Sequence, residues 1–173
     1  MKDGKDGNIL VLGEKLTIHT PLQYKINCNV DPVTPEGSEV KEHIKGGIIH
    51  LDSEKQIGLY TSVHQKHGER ISGHRLLFEL RGHKNVFNAN AADYWLANPS
   101  HIPKRKFTTA KSILFMHTTF RLTLDDSLCV RRLFKLPDGT FDLDFCSLDN
   151  HFGEECAVAI FERRINISDR RAG

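Results

Sequence analysis

The stretch SGHRLLFELRGHKNVFNANAADYWLANPSHIP, Ser72 to Pro103, carries the helical patterns of the chain and separates two regions that are typical of strands. In its first segment, Leu76, Leu77 and Leu80 recur at helical spacing. Ser72 is available as an N-cap and Gly82 follows the last apolar residue, so we predict a short helix here. A short apolar run of this kind is also compatible with a buried strand.

The second segment predicts a helix with clearer ends. Asn88 or Asn90 can cap its N-terminus, and Asp93 is expected to interact favourably with the positive end of the helix dipole. Asn98 tolerates a left-handed C-terminal conformation, and Pro99 cannot continue the helix because it has no N–H to donate. The predicted apolar face consists of Ala91, Ala92, Trp95 and Leu96. We expect Trp95, the single tryptophan, to be buried under a sheet.

The same helix resembles a motif, NANxxDYxLANPxxIP, of a family of uncharacterised bacterial proteins. The matching residues are Asn88-Ala89-Asn90, Asp93-Tyr94, Leu96-Ala97-Asn98-Pro99 and Ile102-Pro103. The resemblance extends to Ala159 through short matches at Cys129-Val130-Arg131 and Leu148-Asp149-Asn150. The chain departs from the family at Lys104-Arg105-Lys106, where the family has acidic residues and a tryptophan. Because the family has no assigned activity, the resemblance implies no site.

Composition indicates an ordinary globular protein. The chain has 173 residues and a formal net charge of +2, so any preference for anions has to come from local clustering. The length suits a single domain with its own hydrophobic core. We expect a strand-rich region over 8–63, a helical centre over 72–98, a meander over 112–163 and a frayed tail over 164–173.

Alternating apolar and polar residues on either side of the helical centre predict strands. In the C-terminal region one face is expected to carry Leu114, Met116, Thr118, Phe120, Leu122 and Leu124. Turns are predicted at Asp125-Asp126-Ser127 and at Pro137-Asp138-Gly139. The expected fold class is α+β, with antiparallel sheets, two short helices in the middle of the chain and a C-terminal β-meander of four strands.

The cysteines and the apolar segments bear on the cellular compartment. The four cysteines lie far apart and none has CxxC spacing, which favours reduced thiols over a zinc or redox site. The first residues contain no apolar run of signal-peptide length, and no window approaches the length of a membrane span. We therefore expect a cytoplasmic protein without membrane association.

Two groups of residues suggest metal chemistry. His64 and His67 are three residues apart, which could place two imidazoles on one side of a helical turn. Asp142, Asp144 and His151 belong to an acidic segment that ends at Glu155 and resembles the carboxylate clusters that hold Mg²⁺ in hydrolases and nucleases. However, solvated histidines explain the first group, and the polar face of a strand explains the spacing of the two aspartates.

The densest basic patch is Lys104-Arg105-Lys106, with Lys111 close behind. Clustered cations favour contact with the phosphates of a nucleic acid, because binding releases counterions. A solvated loop beside a sheet edge is the alternative. Arg131-Arg132 could extend the patch if the fold brings them near.

The chain lacks the common catalytic and nucleotide-binding motifs. It contains no HExxH, GxSxG, GxGxxG or P-loop sequence, so we expect no cofactor. The leading hypothesis is a non-enzymatic intracellular binding or protein-interaction module. The alternatives are a metal-dependent hydrolase or nuclease that uses the Asp142–Glu155 region, and a nucleic-acid binder that uses Lys104 to Lys106.

Overall fold

The computed structural model describes residues 23–162, so the predictions for residues 8–22 and for the tail 164–173 lie outside the described residues. Within 23–162 the helices are α1 (Gly73–Leu80) and α2 (Ala89–Ala97). The strands are β1 (Tyr24–Asn27), β2 (Ser38–His43), β3 (Ile48–Leu51), β4 (Ile57–Tyr60), β5 (Ile71–Ser72), β6 (Ser112–Leu122), β7 (Leu128–Lys135), β8 (Phe141–Ser147), β9 (His151–Phe152) and β10 (Cys156–Phe161). Short 3-10 helices cover Glu54–Gln56, Val63–Gln65, Pro99–His101 and Lys104–Thr108. The α+β class predicted from the sequence is confirmed.

A six-stranded sheet with β6 at its centre is the framework of the fold. Its strands are ordered β4-β10-β6-β7-β8, and β2 pairs with the second half of β6. β6, β7 and β8 form the predicted antiparallel meander. The expected fourth strand of the meander, β10, instead pairs in parallel with β6 on its other side. Parallel pairing requires a longer connection than a hairpin turn, and β9 with its flanking turns forms the connection that leads from β8 to β10.

The central strand β6 is buried on both faces. Before a bulge that follows Phe115, Leu114 packs in a cluster with α1, whereas Phe115 packs in a second cluster with α2. After the bulge, Phe120 contacts Phe145 on the α2 side, at 5.1 Å between ring centroids. The predicted single apolar face from Leu114 to Leu124 is therefore wrong. A bulge shifts the alternation of side chains by one residue, which a strict period of two cannot anticipate.

The two helices cover opposite faces of the sheet. In α1, the Ser72 hydroxyl accepts a hydrogen bond from the backbone N–H of Arg75, as expected of an N-cap. Gly82 beyond its end has φ +89°, a conformation that favours glycine. In α2, Trp95 is fully buried between Phe87 and Phe115, each 5.6 Å away between ring centroids. The predicted packing of Trp95 on the meander is confirmed.

Three details of α2 differ from the sequence predictions. Asn88 occupies the N-cap position, but its side-chain amide donates to the carbonyls of Cys28 and Ile44 rather than capping the helix. Leu96 is 39% exposed and does not belong to the buried face. Asn98 ends the helix at φ −128°, outside the left-handed region. Contacts with the rest of the fold therefore override these local preferences.

Two small ribbons complete the layers. β1 pairs antiparallel with β3, and its buried residues Tyr24 and Ile26 join the core on the α2 side. β5 pairs antiparallel with β9, and Ile71 and Phe152 join the core on the α1 side. Both predicted turns are present, since Ser127 bonds to the Asp125 carboxylate and Thr140 bonds to that of Asp138. None of the helices within 23–162 is both long enough and apolar enough to span a membrane.

Candidate functional site

An open cleft lies on the α1 side of the sheet, where α1 and the β5–β9 ribbon leave the strands uncovered. It has a volume of about 520 Å³. Its floor is formed by side chains of four strands of the sheet, namely Ser112, Arg132, Phe134, Cys146 and Cys156. Its walls include Arg70, Lys111, Lys135, Asn150, His151, Phe152 and Glu155. We refer to it as the cationic cleft.

Positive charge dominates this cleft. Four of its lining residues are cationic, namely Arg70, Lys111, Arg132 and Lys135, whereas Glu155 is the one lining residue with a carboxylate among the described residues. Within residues 23–162, neither lysine pairs with a carboxylate. Cations gathered around a concave surface attract anions more strongly than isolated surface charges do.

Arg132 is held rigidly in the floor of the cleft. Its guanidinium group donates two hydrogen bonds to the Asp144 carboxylate, one of them from Nε at 2.9 Å, and this pairing raises the pKa of Arg132. The guanidinium carbon of Arg132 also lies 5.2 Å from the centroid of the Phe134 ring. A bidentate pair stacked on an aromatic ring fixes the orientation of the side chain. Arg132 therefore supplies a fixed charge rather than a mobile one.

Arg70 is held more loosely at the wall. Its Nε donates to the backbone carbonyl of His151, and one Nη donates to Glu155, both at 3.2 Å. The side chains of this ion pair are 58% and 38% exposed. Exposed pairs contribute little to stability, so an incoming anion can take the place of the Glu155 carboxylate at small cost. The backbone carbonyl of Glu155 accepts from the N–H groups of Lys111 and Ser112, which fixes this wall to the start of β6.

The floor of the cleft contains hydroxyl and thiol groups. The Ser112 hydroxyl donates to the Cys156 thiol at 3.3 Å, and the Asn150 amide contacts the Cys146 sulfur at 3.7 Å. Burial raises the pKa of the Cys146 thiol. In the described part of the chain, no hydrogen bond joins any of these groups to an imidazole base. The arrangement is suited to binding an anion, whereas nucleophilic catalysis requires an adjacent general base.

The predicted basic patch lies at the same end of the sheet as the cleft. Lys104, Arg105 and Lys106 belong to a 3-10 helix rather than an irregular loop, and the first two are exposed. The Phe107 ring at its end packs on Phe141, 4.7 Å away between centroids. Phe141 is the strand partner of Lys135.

We refer to the 3-10 helix Lys104–Thr108 as the basic helix, and its packing anchors it beside Lys135 of the cleft. Lys111 connects the two, because it follows the basic helix in sequence and lines the cleft.

The structure does not bring the predicted histidine pair together as metal ligands. His64 Nε2 lies 2.8 Å from an Nη of Arg75 and 3.9 Å from Glu79. His67 lies in a turn with φ +60°, where its backbone N–H donates to Glu154. Contacts with α1 and with the Glu154 turn explain the positions of the two residues without a metal.

The acidic candidates are also separated. Asp144 is engaged by Arg132, and the Asp142 carboxylate accepts from the N–H of its neighbour Leu143. His151 lies on β9 and lines the cationic cleft, where Arg70 bonds to its carbonyl. Among residues 23–162, no group of three or more His, Cys, Asp or Glu side chains is placed to hold a metal ion.

Several cleft residues could not be assigned to a site from the sequence. Arg70 and the two β7 residues Arg132 and Lys135 come from distant segments and meet Lys111 only in the folded chain. The sequence contains one indication of the cleft, because Arg132 interrupts the apolar alternation of β7. The neighbouring Arg131 points to the other face of the sheet and contacts α2, so only one of the two arginines extends the basic patch.

Comparison of this chain with protein-family models, curated proteins and solved structures finds no match. The resemblance of the α2 region to uncharacterised bacterial proteins therefore stays a prediction.

Proposed function

We propose that the protein is a non-enzymatic binding module whose cationic cleft takes an anionic ligand carrying phosphate or carboxylate groups. The observation that carries this proposal is the convergence of Arg70, Lys111, Arg132 and Lys135 around one open cavity of about 520 Å³. Arg132 and Arg70 are paired with Asp144 and Glu155, whereas neither lysine pairs with a carboxylate within residues 23–162. Such a volume falls within the usual range for small-molecule sites.

The arrangement of the cations favours an extended anion over a single small ion. Arg132 is fixed at the floor by Asp144, while Arg70 and the two lysines lie on the walls. Arginine recognises phosphate and carboxylate through paired N–H donors, and lysine contributes a mobile point charge. A ligand with two or more anionic groups would contact the fixed arginine and a wall cation at the same time. Linked contacts of this kind strengthen binding without requiring tighter individual contacts.

A second candidate function is nucleic-acid binding by the basic helix. Lys104, Arg105 and Lys106 lie at the end of the sheet that carries Lys111 and Lys135, because Phe107 packs against Phe141. This continuity favours a phosphate backbone that runs from the basic helix to the cleft. Contacts of this type supply affinity with little sequence preference.

Two charge-matched triple variants distinguish these possibilities. Arg70→Gln/Lys111→Gln/Lys135→Gln removes three cations from the cleft, and Lys104→Gln/Arg105→Gln/Lys106→Gln removes three from the basic helix. Pyrophosphate, citrate and a single-stranded oligonucleotide are titrated into each protein by calorimetry at low salt. We expect the cleft variant to lose at least about tenfold in affinity for pyrophosphate or citrate, and the helix variant to retain it.

The proposal has two ways to fail. If the parent protein binds neither pyrophosphate nor citrate, the cleft is not a site for phosphate or for carboxylate ligands. If both triple variants lose the same affinity, the effect comes from total charge and not from the cleft. Loss of oligonucleotide binding in the helix variant alone would support the second candidate function instead.

A further inference from the structure

A second groove runs between α1 and the strands β2 and β6 of the sheet. It has a volume of about 360 Å³ and continues into a small cavity of about 10 Å³ beneath it. The groove and the cavity are both lined by Glu42, Leu77, Arg81 and Thr119. The groove is further lined by Lys41, His74, Phe78, Arg121 and Leu128. We refer to both together as the α1 groove.

Phe78 gives the α1 groove an exposed aromatic rim. Its side chain is 70% exposed, although α1 buries Leu76 and Leu80 completely on its other side. Leu77 and Leu128 continue the apolar surface and are half-buried. Packing of the core does not require an aromatic residue at position 78, because the helix is already anchored by the two buried leucines. An exposed aromatic residue next to arginine is typical of the central residues of protein interfaces.

Three cations line the groove around Phe78, and two of them are already paired with carboxylates. Lys41, Arg81 and Arg121 line it together with Glu42, and the Lys41 ammonium lies 2.6 Å from the Glu39 carboxylate. Arg121 is partly compensated, with Glu39 at 3.9 Å and Asp126 at 3.1 Å. Arg81 has no carboxylate within ion-pair distance in the part of the chain that the structure describes. It is therefore the cation that is most available to a partner.

One ring nitrogen of a buried histidine at the base of the groove lacks a hydrogen-bond partner. His117 is 4% exposed, and its Nε2 atom is buried without a partner among the described residues. It lines the small cavity together with Met116, because the bulge of β6 turns these consecutive side chains toward α1. Bulges commonly direct a side chain toward a functional surface. Buried polar atoms are normally hydrogen-bonded, so this nitrogen marks a position where an external polar group is needed.

We infer that the α1 groove binds an acidic peptide segment with an apolar anchor residue. The anchor packs on Phe78, Leu77 and Leu128, and a neighbouring carboxylate contacts Arg81. A backbone group of the peptide reaches the cavity of His117. A peptide is favoured over a small molecule because Phe78 leaves one side of the groove open, whereas small-molecule sites enclose most of their ligand. This surface is separate from the cationic cleft, and its test does not depend on anion binding there.

The test uses a phage-displayed library of random peptides selected against the full chain, with counter-selection against Phe78→Ala. The selected peptides should combine Asp or Glu with a Phe, Leu or Trp residue. Their affinity, measured by fluorescence anisotropy, should fall at least about tenfold in Phe78→Ala and severalfold in Arg81→Gln. The matched control is Leu124→Ala, because Leu124 is 95% exposed in the β6–β7 turn, and it should bind like the parent.

Nuclear magnetic resonance supplies a second readout. Binding of a selected peptide should shift the imidazole signals of His117, since its Nε2 gains a partner. Because Phe78 is exposed, Phe78→Ala should keep the melting temperature of the parent, which separates loss of contact from loss of fold.

The inference is overturned if the selection yields no acidic and apolar peptides, or if their binding is unchanged by Phe78→Ala. Peptides whose binding is lost in the cleft variant and kept in Phe78→Ala would also contradict it.

Discussion

Arg131 on β7 donates a hydrogen bond to the carboxylate of Asp93 on α2, with 2.9 Å between Nη2 and Oδ1. The two side chains are only 12% and 21% exposed, so the pair joins the helix to the sheet away from bulk water. The sequence suggests that Asp93 interacts with the helix dipole. Asp93 is the fifth residue of α2, beyond its first turn, and its main partner is Arg131.

Removing one partner of this pair should destabilise the fold strongly. Asp93→Ala leaves the Arg131 charge buried and unpaired, which typically costs about 3–5 kcal/mol in the free energy of unfolding. Urea denaturation measures the loss. Replacing both residues with apolar ones of similar size should recover much of it, because no buried charge is then left. The control is Asp126→Ala, which removes a carboxylate that is 78% exposed and should change stability little. Equal losses in the two single variants would show that the pair has no special structural role.

Trp95 is expected to be the largest single contributor to the core on the α2 side. It is completely buried, and Trp95→Ala should lower the free energy of unfolding by about 3–5 kcal/mol, because it leaves a cavity. Its fluorescence should be that of a buried indole in the native protein and shift to longer wavelength on unfolding. Leu96→Ala, which changes a neighbour that is 39% exposed, serves as the matched control with a much smaller loss. A Trp95→Ala variant that unfolds at the same urea concentration as the parent would contradict this role.

Stability should fall as the pH is lowered from about 6.5 toward 4. Burial lowers the pKa of His117 to about 4, below its ordinary value of 6.5, so the unfolded chain binds a proton there before the folded chain does. The stabilising contribution is fully present above pH 6.5 and is lost as the pH falls through the folded pKa. Burial also lowers the pKa of His43, which acts in the same direction.

Urea denaturation at several pH values tests this prediction for His117. The dependence of stability on pH in this range should be flatter in His117→Gln than in the parent. Titration of the His117 ring signals by nuclear magnetic resonance checks the pKa directly. A midpoint of that titration near 6.5 would refute the prediction.

Cys156 should react with a thiol reagent before the other cysteines of the native protein. It is half-buried and lines the cationic cleft, whereas Cys28, Cys129 and Cys146 are buried. Burial also raises the pKa of Cys28 to about 11, which leaves little reactive thiolate. The first reacting equivalent should disappear in Cys156→Ser. If the cleft binds pyrophosphate, a saturating concentration of this anion should slow the reaction of Cys156 with the thiol reagent. An unchanged reaction rate in a protein that binds pyrophosphate would show that the anion binds elsewhere.

The salt dependence of nucleic-acid binding tests the basic helix. If Lys104, Arg105 and Lys106 contact phosphates, the triple glutamine variant should reduce the slope of log affinity against log salt by up to about two to three units. The fold should be retained, since Lys104 and Arg105 are exposed. If the parent protein binds neither duplex nor single-stranded nucleic acid at roughly 50 mM salt, the hypothesis of nucleic-acid binding is wrong.

Much of the local structure follows from the sequence. Ser72 before an apolar helical pattern gave the start of α1, and Pro137-Asp138-Gly139 gave a turn in which Gly139 has φ +88°. These features depend on capping hydrogen bonds and backbone preferences within a few residues of each other. The α+β class could be predicted for the same reason, because hydrophobic periodicity is a local property.

The positions of long-range partners were decided only by the tertiary structure. The sequence does not show that β10 returns beside β6, that a bulge directs His117 toward α1, or that Asp93 meets Arg131. The cationic cleft likewise requires Arg70, Lys111 and the β7 residues Arg132 and Lys135 to converge from three separate segments. Composition and periodicity record which residues prefer burial or charge, but they carry no information on which distant residues become neighbours. Which distant residues become neighbours depends on how side chains pack on the two faces of the sheet. The same packing determines where an anion or a peptide can bind.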